Sequence, residues 1–395
     1  MKALWSSGFR PFFLLGACYG PLALALGLGQ GYGGWSLGDL TLGLNHAHEL
    51  LHGFASAMVC GVLLTALPGW TGAAELRGPR LAALAALWLL GRLAWWGAAW
   101  VPTKLALLLD CALFPVLILM LLPTMQGARK GLFAWTLPPL LGLTASNVLT
   151  HLALARADAQ AAHFAMALGL QALAFVYTLY AGLLTAAFTR AWLQARAERS
   201  HAISLPLETL TAASMLAFAA ADLSQASAPW MAGASALACV LHGWRFARWR
   251  GWRTTSQPLL WTLHLGYAFL IAAIALRGLS ALSPLVPPDA WVHLFTLGAL
   301  GMTKMGLMTR VALRHTGRPM AVPRAMLAAY ALMFAAALAR LAYTVHHLGP
   351  AVLALSALLW AGAFALYLFC FASALLRPSL PRKGAAPQRS PQRKA

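Results

Sequence analysis

The chain has 395 residues, of which 61% are hydrophobic and only 10% charged, with a formal net charge of +20 and a mean hydropathy of +0.70. Soluble domains carry about 25% charged residues, so this composition excludes an ordinary water-soluble enzyme and points to a protein held in a lipid bilayer. A helix of about 20 apolar residues crosses the hydrocarbon core, so the length allows roughly a dozen crossings and leaves no room for a sizeable soluble module.

The apolar runs predict an all-α, polytopic membrane bundle of about twelve transmembrane helices, near residues 9–28, 46–67, 80–100, 103–123, 131–151, 166–189, 206–224, 229–247, 258–277, 289–309, 323–346 and 350–376. The first follows Lys2 and Arg10, as the core of a signal peptide would. It lacks a small-residue cleavage pattern, and another apolar run follows closely, so it reads as retained. With the N-terminus inside, 23 of the 29 Lys and Arg residues fall on the inner side, among them Arg77, Arg129, Lys130, Arg196, Arg250, Arg314 and six in the C-terminal tail. Only Lys104, Arg156 and Arg277 fall outside, while Arg92, Lys304 and Arg340 lie within helices. This asymmetry follows the positive-inside rule, so the charge reports topology, with both termini cytoplasmic, and does not call for a nucleic-acid partner. The stretch from Gly243 to Arg253 interleaves aromatics with arginines and reads as an interfacial anchor. The bundle takes residues 1–376; residues 377–395 are Pro-rich and basic and predict a disordered cytoplasmic tail. Five cysteines sit in separate apolar runs without a Cys-x-x-Cys pair or a haem attachment signature, as packing residues do.

The densest chemistry is Asn45-His46-Ala47-His48-Glu49-Leu50-Leu51-His52, at the mouth of the second helix. Imidazoles and a carboxylate are costly at the edge of a bilayer, which makes the run a functional-site hypothesis. In the expected topology His46, His48, His52, His151, His163, His293, His346 and His347 gather toward the outer side. Glu49, Asp110, Arg92 and Arg340 fall in the outer halves of their helices, which suggests a polar chamber beneath the outer surface. A single interfacial histidine such as His346 is equally explained as one that tolerates headgroup depth. His264 lies about two turns into the ninth helix from the inner end and needs a partner there. It serves either as a ligand of haem iron or copper, its second nitrogen held by a carbonyl or carboxylate, or as a donor to a neighbouring helix. Met305 to Arg310 and Arg314-His315-Thr316-Gly317-Arg318-Pro319 read as a helix end with a tight turn.

Two other functions share these features. His48-Glu49-Leu50-Leu51-His52 matches His-Glu-x-x-His, the pattern of a zinc metalloprotease with Glu as general base, although no Leu-Asp-Gly or Asn-Pro-Asp-Gly follows downstream. Twelve helices divided six and six by the Arg190 to Leu205 loop also suit a secondary transporter of a small solute.

The chain resembles the NnrS family of bacterial membrane proteins through nearly all of its membrane region. The resemblance rests on Gly8-Phe9-Arg10-Pro11-Phe12-Phe13-Leu14-Leu15-Gly16, on His46-Ala47-His48-Glu49, and on Gly53-Phe54 through Gly61 to Gly72. Gly91-Arg92-Leu93-Ala94, Asn147 with His151-Leu152, Arg250-Gly251-Trp252-Arg253-Thr254 and Pro258 to Tyr267 extend it, and His293, Leu297 to Arg310 and His315 to Pro319 complete it. It implies a haem- and copper-containing protein of the bacterial inner membrane, linked to denitrification and to tolerance of nitric oxide. It also singles out His46, His48, His151, His264, His293 and His315. At the position of His52 such proteins more often carry an aromatic residue. The sixth helix, Leu179 to Arg190, departs from the family's Gly-Gly-Arg and Pro-Phe-Phe pattern and lacks that arginine.

Imidazole nitrogen binds haem iron and copper alike, and nitric oxide is small, neutral and soluble in lipid, so a dry metal pocket within a bundle suits it. The expectation is that His46 and His48, with one or more of His151, His264 and His293, bind haem iron or copper. Arg92 or Arg340 would neutralise haem propionates through paired hydrogen bonds, or pair with Asp110 or Glu49.

Overall fold

A computed structural model describes residues 3–32, 42–125 and 135–381. Lys2, Arg129, Lys130 and the part of the expected tail from residue 382 lie outside the described residues. Helix α1 (Phe9–Tyr32) is followed by α2 (Leu42–His48), which runs on through a π-helical stretch, Glu49–Ala55, into α3 (Ser56–Thr71). Then come α4 (Pro79–Trp96), the nearly continuous pair α5 (Thr103–Cys111) and α6 (Leu113–Met125), α7 (Leu137–Ala155) and the long α8 (Ala159–Gln194). The remainder is α9 (Leu205–Leu223), α10 (Ala228–Arg248), α11 (Pro258–Leu282), α12 (Ala290–His293), a second π-helical stretch (Leu294–Gly301), α13 (Met302–His315), α14 (Arg324–His346) and α15 (Pro350–Leu376). Joined end to end these make twelve helices with no strand among the described residues. Eight of the runs are long and apolar enough to cross a membrane. The protein is a membrane helix bundle.

Local chemistry explains the boundaries. A proline sits in the first turn of α4, α7, α9, α10, α11 and α15, where its missing N–H has no intrahelical partner to lose. Helix α8 starts at Ala159, well ahead of residue 166, because the Asp158 carboxylate accepts from the Ala161 backbone N–H at 2.9 Å and caps it. Hydroxyls inside the bundle turn back on their own helices. Thr65 donates to the Gly61 carbonyl at 2.7 Å, Thr150 to Ser146 at 2.8 Å and Thr309 to Met305 at 2.7 Å, so these polar atoms need no partner from elsewhere.

Sequence neighbours pack as hairpins, α7 on α8, α10 on α11 and α14 on α15, while α1 lies against both α3 and α15 and ties the two ends of the chain together. Arg10 fastens that junction. It is 1% exposed, and its Nη1 donates to the carbonyls of Ala374 at 3.1 Å, Leu375 at 2.8 Å and Arg377 at 2.8 Å, while Nη2 donates to Ser379 Oγ at 2.9 Å. These include carbonyls that the end of α15 leaves without helical donors, at the negative pole of its dipole. Ser379 Oγ in turn donates to the His315 carbonyl at 2.9 Å, and Leu380 N–H to the Thr316 carbonyl at 2.9 Å, so residues 377–380 are docked on the bundle. Arg10→Ala is expected to destabilise the protein by about 1.5–3 kcal/mol, the scale of charge-assisted hydrogen bonds. The check is a lower thermal midpoint in detergent together with faster proteolysis after Leu376. Arg10→Lys is expected to recover only part of the loss, because an ammonium cannot span the same set of acceptors.

Candidate metal centre

The π-helical stretch shapes the centre. Its i→i+5 turns are wider than α-helical ones and leave carbonyls in need of donors. Ser56 Oγ donates to the carbonyls of His52 at 2.5 Å and Gly53 at 2.8 Å, and Trp88 Nε1 donates to Gly53 at 3.0 Å. Glu49 and His52 lie within this stretch and His48 immediately before it; all three are buried, at 1%, 2% and 0% exposure.

Around them four helices converge. Arg92 on α4 donates from Nη1 to Glu49 Oε1 at 2.6 Å and from Nη2 to Asp110 Oδ1 on α5. The other Asp110 oxygen, Oδ2, lies 2.8 Å from His151 Nε2 on α7 and 3.1 Å from His48 Nε2. His48 stacks flat on Trp95, with ring centroids 3.3 Å apart and planes 7° from parallel. Its Nδ1 lies 2.8 Å from Glu49 Oε1, and its Nε2 lies 2.9 Å from Asn147 Oδ1. The Asn147 amide is oriented by its own NH2, which donates to the Asp110 carbonyl at 3.1 Å. One guanidinium serves two carboxylates, so the ionised cluster keeps one negative charge.

The imidazole of His48 therefore faces three acceptor oxygens, from Glu49, Asn147 and Asp110. A neutral ring carries one N–H and satisfies only one side. The other side calls for a proton or a metal cation. The ligand atoms of His48, Asp110 and His151 lie within 4.8 Å of one another, the spread of a set that can close on one ion. Two imidazole nitrogens and a carboxylate oxygen suit copper, zinc or iron, and the Glu49 contact to His48 Nδ1 is the outer-shell carboxylate that fixes a ligating ring.

His52 adds a third imidazole. Its Nε2 is 3.1 Å from Ser146 Oγ, whose proton is committed to the Ala165 carbonyl at 2.6 Å. Ser146 can only accept from His52, which leaves Nδ1 as a buried lone pair with no partner. The His52 and His48 ring centroids are 5.0 Å apart.

The other expected residues stand elsewhere. His46 is half-buried and has Arg340 and His293 as its electrostatic neighbours. Arg340 Nη2 donates to His293 Nε2 at 2.6 Å, so these three form a separate group. Arg92 is taken by Glu49 and Asp110, the pairing weighed against propionates. His264 lies at another site, with Nε2 2.9 Å from Thr189 Oγ1 and its ring beside Phe246 and Trp249. Its buried Nδ1 has no partner and abuts Gly251, where a Cβ would collide with the ring. His315 rests 5.5 Å from the Phe9 ring. His163 bonds the Ala159 carbonyl at 2.6 Å from an exposed position, and His346 and His347 are exposed. Glu49 of the His-Glu-x-x-His pattern faces Arg92 and His48, and among the described residues the metal-competent group joins His48 to Asp110 and His151.

Sequence reasoning placed Asp110 in the chamber without making it a ligand, and gave Asn147, Trp95 and Ser146 no part in the centre. The legible signal was a lone carboxylate in an apolar run, and Asn147 one helical turn before His151.

A family model described as NnrS protein matches residues 3–379, nearly the whole of the chain. Comparison with curated proteins finds no match.

Proposed function

Because the chain belongs to the NnrS family, we propose that it is a metal protein of the bacterial inner membrane, with both termini cytoplasmic, acting in nitric oxide response or detoxification linked to denitrification. Its metal is copper, held by His48, Asp110 and His151, with the His52 lone pair at hand. The observation that carries this reading is the set of three acceptor oxygens around His48, which a cation between Nε2, Asp110 and His151 would relieve. Copper bound there would supply a site for a small ligand such as nitric oxide.

The chain's own residues do the rest. Arg92 offsets the carboxylates, so that copper enters a cluster with one negative charge to spare. Trp95 and the buried α4 and α7 faces exclude water from the His48 ring, while a small neutral ligand can still arrive through lipid. Haem, which the family resemblance also implies, would fall to the separate group of His46 and His293, with Arg340 toward its propionates.

Metal analysis of protein purified from copper-supplied cells is the test. Wild type is expected to hold about one copper per chain and to change its absorption when nitric oxide is added, His151→Ala to lose most of the metal, and His346→Ala to keep it. Copper-free wild type, or His151→Ala with undiminished copper, would overturn the assignment. A pyridine haemochrome spectrum of the same preparation reads haem directly.

A further inference from the structure

Between α1, α3, α8 and α13 the packing leaves a cavity of about 70 Å³, with Phe13, Val59, Leu173 and Leu307 in its walls. The few polar residues around it are engaged. The Tyr177 and Thr303 hydroxyls bond each other at 2.7 Å, and the Tyr180 hydroxyl bonds Thr136 Oγ1 at 2.6 Å. Lys304 holds its ammonium 4.3 Å from the centroid of Phe54, a ring outside the wall, so hydrocarbon is what it turns to the cavity. Among the described residues, no buried polar atom without a partner belongs to the lining. Water in a cavity needs several polar partners, and apolar cavities that lack them stay dry. This one lies within a bundle that lipid surrounds, and it offers nothing to an ion or a polar solute.

The cavity also lies beside the metal centre. Val59 follows His52 by seven residues on the same run of helix, about 10 Å along its axis. On α8, Gly169 sits one turn before Leu173 and brings bare backbone against Leu51 and Ser146, and Ser146 is the partner of His52. We propose that this cavity is a binding site for a small, uncharged diatomic gas, held between the bilayer and the metal centre. That the gas is nitric oxide rests on the function proposed above. A water-sized group needs ~10–15 Å³ of such space, so a diatomic fits with room to turn. An apolar molecule entering a preformed, poorly hydrated space has little water to displace, and the gas reaches the cavity from lipid without crossing a polar barrier.

Diffraction from xenon-pressurised crystals of the full-length protein tests the site, because xenon is small, uncharged and apolar and marks its own position by anomalous scattering. Wild type is expected to hold xenon between Val59, Leu173 and Leu307, and Val59→Phe, which fills the cavity from α3, to hold none. Leu173→Phe fills it from α8 and is expected to repeat the result independently of α3. Stopped-flow absorption then reads the arrival of nitric oxide at copper, expected to slow at least threefold in both variants, with the copper content and final absorption change of wild type. No xenon in wild type, an acyl chain ordered in its place, xenon undiminished in both variants, or an unchanged arrival rate in variants that hold copper would overturn the proposal. Xenon occupancy does not depend on copper, so copper-free protein that takes up xenon would remove the metal reading and the nitric oxide assignment and leave the gas site standing.

Discussion

Asp110→Ala is expected to cost about 3–5 kcal/mol of stability, the scale for removing one partner from a buried charge network, and to release copper as well. Asp110 is 3% exposed and holds three groups together: the Arg92 guanidinium on one oxygen, His151 and His48 on the other. Truncating it leaves Arg92 with Glu49 alone and strips both imidazoles of their shared acceptor. Equilibrium unfolding in mixed micelles, read by tryptophan fluorescence, measures the loss. Asp110→Asn keeps the shape and one acceptor oxygen, so it is expected to destabilise less while still losing copper, because a neutral amide is a poor ligand. In the double variant Asp110→Ala with Arg92→Met, the stranded cation is gone, and the combined loss should fall well short of the sum of the two single losses. Simple additivity would mean that Arg92 and Asp110 carry no energetic coupling and do not act as one network.

The sequence made the bundle legible because a bilayer imposes a coarse rule, about 20 apolar residues per crossing, that survives errors of several residues at each end. The histidine run beside Glu49 was legible for the same reason, since polar groups stand out against 61% apolar residues. Which imidazoles meet was not. His46 and His48 are two residues apart, so on a helix they point about 200° apart, and one faces Arg340 while the other faces Asp110. That divergence splits a cluster that looks single on paper. The π-helical stretch at Glu49–Ala55 adds a second obstacle, because its phase is set by donors from elsewhere, Trp88 among them, and no local pattern announces it. Asp110 and Asn147 enter from α5 and α7, and their meeting with α2 is a tertiary fact that hydrophobic periodicity does not encode.

Gly182→Ala is the second large effect expected, a loss of about 3 kcal/mol from overpacking combined with weakened charge-assisted hydrogen bonds. A methyl on Gly182 would fall on the guanidinium of Arg245, on Nη1, Cζ and Nη2 together. An exposed arginine would swing away. Arg245 is 2% exposed and pinned on every side: Nε donates to Glu208 Oε1 at 3.0 Å, Nη2 to Glu208 Oε2, and Nη1 to the Thr178 carbonyl at 2.8 Å and the Tyr267 hydroxyl at 3.0 Å. That hydroxyl is itself 2.8 Å from His242 Nδ1. Moving the guanidinium therefore loosens α8, α9, α10 and α11 at once. In the segment concerned, Leu179 to Arg190, it is α10 that delivers a guanidinium to the helix face. Arg245→Ala alone is expected to cost about 3–5 kcal/mol by stranding Glu208. On that background Gly182→Ala meets empty space, so its added cost should shrink to a few tenths of a kcal/mol, the intrinsic preference of a helix even favouring Ala over Gly. Unfolding free energies of the four proteins in the cycle decide it: the full Gly182→Ala penalty persisting without Arg245 would show that the glycine answers to another neighbour.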